Sequence, residues 1–152
     1  MLRPLVALAL AAALAAPLAG CVSLGGFGGS RLSDRECLMR AMYFESNRSS
    51  PDGMLAVGTV VMNRVNAGGY YPRSVCGVVG QKNQFADGVL HRPMSEPRSV
   101  ALVGQVADRV LRGARHPGVQ RALHFHTAGL RFPYNNMHYV LEAGGNEFYE
   151  RR

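Results

Sequence analysis

Apolar positions recur with a helical period over residues 33–67. Leu38, Ala41 and Met42 fall at i, i+3 and i+4 and lay one stripe along a helix. Ser33-Asp34-Arg35-Glu36 at its start reads as a capping box, with Glu36 reaching back to the Ser33 amide. A second stripe, Met54, Gly58, Val61, Met62 and Val65, follows an N-cap at Ser50 with Pro51 at the first helical position. Gly68-Gly69 stops it. The small residues Ala56 and Gly58 permit close approach, so the pattern predicts a helical hairpin. One position breaks it: the i+7 place on the first stripe is Glu45. A carboxylate that continues a core stripe must be neutralised, paired, or turned into a cleft. The hairpin therefore sets a single acid near its mouth.

Beyond the hairpin the period changes twice. Residues 68–72 form a turn, 74–80 a short helix, and 83–96, with glycine, proline, aspartate and histidine but no period, a long loop of the kind that carries binding residues. Residues 98–112 return to helical spacing, with Val100, Val103, Ala107, Val110 and Leu111 on one face and Gly113 as the stop. His116-Pro117-Gly118 is a turn. Residues 122–127 alternate as a strand does; 137–141 and 147–149 are shorter strand candidates joined through Gly144-Gly145. The predicted fold class is α+β, mainly helical, with a small antiparallel sheet.

The first 20 residues stand apart. Arg3 supplies a positive start, residues 5–16 are an apolar run too short for a membrane span, and Leu18-Ala19-Gly20-Cys21 resembles the lipobox of bacterial lipoproteins. The resemblance implies a signal peptide over 1–20, a lipidated Cys21 beginning a glycine-rich tether over 21–32, and a folded domain over 33–152. It also implies a cell-envelope protein held to a membrane by acyl chains. Val22 after the cysteine points to the outer membrane, facing the periplasm, in a Gram-negative cell. With Cys21 acylated, the exported chain keeps Cys37 and Cys76, which are expected to form a disulfide across a 39-residue separation. The chain carries 17 Lys and Arg against 10 Asp and Glu, a net charge of +7. Those charges are dispersed, without a basic block or interleaved aromatics, so nucleic acid is not an expected partner. A monomer is expected.

Cys37-Leu38-Met39-Arg40-Ala41-Met42-Tyr43-Phe44-Glu45, then residues 53–57, then Val60-Val61-Met62-Asn63-Arg64-Val65, resemble the SleB-type cell wall hydrolases, the spore cortex-lytic enzyme family. Residues 72–79 and Gln84-Phe85 continue the likeness in order, and 122–149 carry it more loosely. The resemblance implies a lysozyme-like or lytic-transglycosylase-like domain that takes peptidoglycan as partner and cuts its glycan strands at the muramic acid bond, with no cofactor. It places the catalytic glutamate on Glu45. Departures are Ser49 where members carry a second glutamate, Asn146 where a histidine often precedes the Phe-Tyr pair, and Tyr134 where a tryptophan is common.

Glycoside hydrolysis ordinarily uses two carboxylates, and only Glu45 is well placed. Asp52 lies in the first turn of the second helix, where its charge suits the dipole. A lytic transglycosylase needs one acid, because the muramic acid 6-hydroxyl attacks intramolecularly. The single carboxylate therefore favours transglycosylation. The bland alternative is a buried Glu45 paired with Arg40, Arg48 or Arg64. Tyr43, Asn63, Gln84, Phe85, His126 and Tyr149 are the candidate sugar contacts; core packing is the alternative for each aromatic, and a bond to loop backbone for Asn63. His124, His126 and His138 with Glu147 raise a zinc-dependent amidase as an alternative function, but no helical His-Glu-x-x-His is present and no metal is expected. A non-catalytic peptidoglycan-binding lipoprotein is the other alternative.

Overall fold

The computed structural model describes residues 31–152. The expected signal peptide, Cys21 and nearly all of the tether lie outside the described residues.

Helix α1 (Asp34–Glu45) opens on the capping box: the Ser33 hydroxyl accepts from the Glu36 amide while the Glu36 carboxylate accepts from the Ser33 amide. It touches α2 (Pro51–Ala67), α3 (Val75–Val79) and α4 (Pro97–Leu111). That is why Cys37, Met39 and Tyr43 are buried along with the stripe of Leu38, Ala41 and Met42. Three neighbours cover more of a helix than a single stripe can. Ser50 caps α2 through the Gly53 amide, Pro51 takes its first turn, and Gly68 ends it at φ +60°. A Cβ on Gly58 would stand 3.0 Å from Met42 Sδ and 3.1 Å from Val110 Cγ2, so this glycine lets α2 sit close to both α1 and α4.

On α4 the buried face is Val103, Gly104, Val106, Ala107 and Val110. Leu111, expected on that face, is 42% exposed. It is the last residue of α4, while Val106, not on the expected stripe, is buried. A disulfide joins Cys37 of α1 to Cys76 of α3, with their Cα atoms 5.1 Å apart. It fastens the start of the first helix to the segment after the second.

Strands β1 (His124–Thr127), β2 (Met137–Ala143) and β3 (Asn146–Arg151) form an antiparallel sheet in the order β1-β3-β2. Gly144 and Gly145, at φ +58° and +84°, make the β2–β3 turn, as two-residue hairpins require. Phe148, fully buried, pins the sheet to the helical core.

The turn also docks the sheet on the helical hairpin. A Cβ on Gly53 would lie 2.4 Å from Gly144 Cα, a distance only a glycine pair allows. The Asn47 amide donates to the Gly144 carbonyl at 2.9 Å, and Asn146 Nδ2 donates to the Glu45 carbonyl. The α1–α2 junction and the sheet turn are thus one structural unit, with Glu45 at its centre.

Candidate active site

Glu45 is the last residue of α1, and its side chain enters a cleft of about 300 Å³ between the helical body and the sheet. Four separate segments wall it: Glu45; Asn83, Gln84 and Phe85 of the long loop; Phe125 to Thr127 with Leu130; and Asn146. Glu45 is the one acid among these residues. Its Oε1 accepts from the Ala86 amide at 2.5 Å. Burial raises its carboxyl above the ordinary carboxylate range, outweighing the Ala86 hydrogen bond and the more distant charges of Arg64 and Arg92. The C-terminal end of α1 adds to the effect, because a negative charge there opposes the helix dipole.

None of the three arginines that sequence offered as partners pairs with Glu45. Arg40 donates to the Arg92 carbonyl, Arg48 pairs with Glu96, and Arg64 Nε donates to the Leu123 carbonyl at 2.8 Å. Arg64 is only 3% exposed, its guanidinium lying over the rings of Tyr71 and Phe85 at 5.3 and 5.2 Å. Helical spacing gives no warning of that burial; the cause is two aromatic rings supplied from later in the chain.

The other candidates divide. Gln84, Phe85 and His126 line the cleft with Glu45. Tyr43 is buried in the core at 1% exposure, its hydroxyl accepting from the Glu96 amide and Arg48 covering its ring. Asn63 Nδ2 donates to the Gln120 and Ala122 carbonyls, both at 3.1 Å, and so holds the chain leading into β1. Tyr149 stacks on His124 with centroids 5.3 Å apart and lies behind His126 at 5.6 Å. Tyr43, Asn63 and Tyr149 therefore stand outside the cleft lining. Asn146, noted in sequence only as a departure, lines the cleft and holds the Glu45 backbone; its place just after the Gly-Gly turn was the available signal.

The histidines are engaged separately. His126 Nδ1 lies 2.8 Å from the Thr127 carbonyl and Nε2 2.9 Å from the Tyr139 hydroxyl, so both ring nitrogens have partners. The nearest Glu147 oxygen is 3.9 Å from that ring. Burial, then Arg151 and Arg64, push His124 down to about 4, which keeps it neutral. Among the described residues no three His, Cys, Asp or Glu side chains converge as a metal site requires. Asp52 points elsewhere, to His116 at 3.0 Å.

The site is thus a lone carboxyl in the seam between a mainly helical body and a small sheet. The chain belongs to the Cell Wall Hydrolase family, whose model matches residues 48–149. The match begins three residues after Glu45. Among solved structures, the chain is similar to the catalytic domain of the germination-specific lytic transglycosylase SleB from Bacillus anthracis, at 22% identity and TM-score 0.62, over 81% of this chain and 98% of that one. It is also similar to the catalytic domain of the Bacillus cereus SleB protein, at 23% identity and TM-score 0.59, over 81% of this chain and all of that one. No curated protein matches. The fold is that of the SleB catalytic domain, and the family makes the protein a peptidoglycan-cleaving enzyme.

Proposed function

We propose that the chain cuts the glycan strand between N-acetylmuramic acid and N-acetylglucosamine as a lytic transglycosylase, with Glu45 as its single catalytic acid and base. The observation that carries this reading is that Glu45 is the one acid lining the cleft and is kept protonatable by burial. The Ala86 amide holds Oε1, the carbonyl-like oxygen, so the proton resides on Oε2. Glu45 gives that proton to the glycosidic oxygen as the bond to muramic acid C1 breaks. The resulting carboxylate then takes the proton of the muramic acid 6-hydroxyl, whose oxygen closes on C1. Glu45 ends protonated again, no water is consumed, and no second carboxylate is needed. Gln84 supplies an amide for hydroxyl or acetamido groups, Phe85 a ring edge, and His126 a cleft wall held by Tyr139. Tyr43, Asn63 and Tyr149 support this machinery from behind.

Glu45→Gln keeps shape and polarity but cannot exchange a proton. Release of soluble fragments from purified sacculi should fall by about 10⁴-fold, the upper end for general acid–base groups, since one residue serves both steps. A Glu45→Gln enzyme that cleaves at near wild-type rate would reject the assignment.

We further propose that the enzyme works from a lipid anchor at Cys21, on the periplasmic face of the outer membrane in a Gram-negative cell. Cys21→Ser should abolish membrane recovery of the processed form; normal processing and membrane fractionation of that variant would contradict it.

A further inference from the structure

Six large apolar side chains are strongly exposed among the described residues, and four of them, Leu130, Phe132, Tyr134 and Tyr139, come from β2 and the segment that leads into it from β1. They are not scattered. Leu130 and His126 line the Glu45 cleft. The His126 ring packs edge-on against Phe132 at 4.8 Å and Tyr139 at 5.5 Å, and Phe132 in turn stacks on Tyr134 at 6.2 Å with their planes 11° apart. Exposure rises along this line, from 10% for the His126 side chain through 41% for Phe132 to 62% for Tyr134. An aromatic track thus leaves the cleft at His126 and ends in open solvent. Asn135 and Asn136 follow it, and Arg131, 83% exposed, interrupts it with a charge.

We propose that Phe132 and Tyr134, continuing outward from the cleft wall at His126 and Leu130, form an outer subsite that binds sugar residues of the same glycan strand beyond the bond being cut. The inference rests on the reading of the cleft as a glycan-cleaving site. The chemistry fits that occupant: the C–H faces of pyranose rings lie against aromatic faces, while hydroxyl, acetamido and stem-peptide carboxylate groups need the neighbouring amides and guanidinium. Phe132 and Tyr134 keep 41% and 62% of their surface exposed, apolar surface that a strand of linked sugars can lie against. Continuity with the cleft favours glycan over a membrane or a second protein, since a strand threaded past Glu45 must leave by one of its ends. A polymer held at two places dissociates more slowly than one held only at the reacting bond.

The test compares the wild-type enzyme with Phe132→Ala, Tyr134→Ala and Tyr134→Trp, all at exposed positions. Binding of the Glu45→Gln background to purified sacculi should weaken on the order of tenfold with each alanine and be retained with Trp. In the active background KM on sacculi should rise by a similar factor with kcat nearly unchanged. Alanine variants that bind and cleave sacculi like the wild type, while the wild type cleaves normally, would overturn the subsite and leave the cleft reading intact. Loss of binding to phosphatidylglycerol vesicles or of self-association, with sacculus binding unchanged, would equally overturn it. A wild-type enzyme that fails to cut glycan at all would reject the cleft reading, and the sacculus-binding comparison would still decide whether the track holds glycan.

Discussion

At the residue scale one proton, on Glu45, matters most. Burial holds the Glu45 carboxyl above its ordinary value of 4.5, so the folded chain binds that proton at pH values where the unfolded chain has lost it. The sign follows: stability is undiminished below the unfolded value, falls as pH rises through the window between the unfolded and folded values, and stays lower above it. Glu45→Gln escapes this penalty. Its thermal midpoint should therefore exceed that of the wild type at pH 7, and the gap should close below about pH 4. Melts at the two pH values check it, and a variant less stable at both would contradict the burial account. Activity carries the same signature, since kcat should decline as rising pH deprotonates Glu45 in the complex. The acid itself was legible in sequence because a charged residue interrupted an apolar stripe. Arg64 was not, because its burial depends on Tyr71, Phe85 and the Leu123 carbonyl, which arrive from three later segments.

At the element scale the critical joint is the contact of Gly53 with the Gly144 turn. Gly53→Ala would drive a Cβ to 2.4 Å from backbone that cannot swing aside, unlike a flexible side chain. It should cost about 1–3 kcal/mol in urea unfolding, as overpacking does. It should also reduce activity, because the displaced turn carries Asn146, which holds the Glu45 carbonyl. Unchanged urea midpoint and rate would show that the joint is slack. The disulfide is a second fastening, and Cys37→Ser should lower stability by about 3–4 kcal/mol in the chain-entropy model, read from the same urea curves. Helices were readable from caps and period: Ser33 and Ser50 cap as their sequence context implies. Sequence also gave the Gly144-Gly145 turn, but not which strand lies central. Strand order rests on long-range pairing, and β3 takes the middle place because both β1 and β2 find their register against it.

At the scale of the whole molecule the cleft is a seam. Its walls come from the end of α1, the long loop, β1 with its following segment, and the start of β3, so no single stretch of sequence contains it. Pattern reading could name Glu45, Gln84, Phe85 and His126, but could not tell that Tyr43 and Tyr149 face away, since an aromatic suits core and cleft alike. Family membership settles the class of reaction and leaves the route to be measured. The most direct measurement is mass spectrometry of the fragments that the wild-type enzyme releases from purified sacculi. Closure by the 6-hydroxyl predicts muropeptides ending in 1,6-anhydro-muramic acid, with none of the water that hydrolysis would add. Fragments with reducing ends alone would show that water is the nucleophile and contradict the single-carboxylate mechanism.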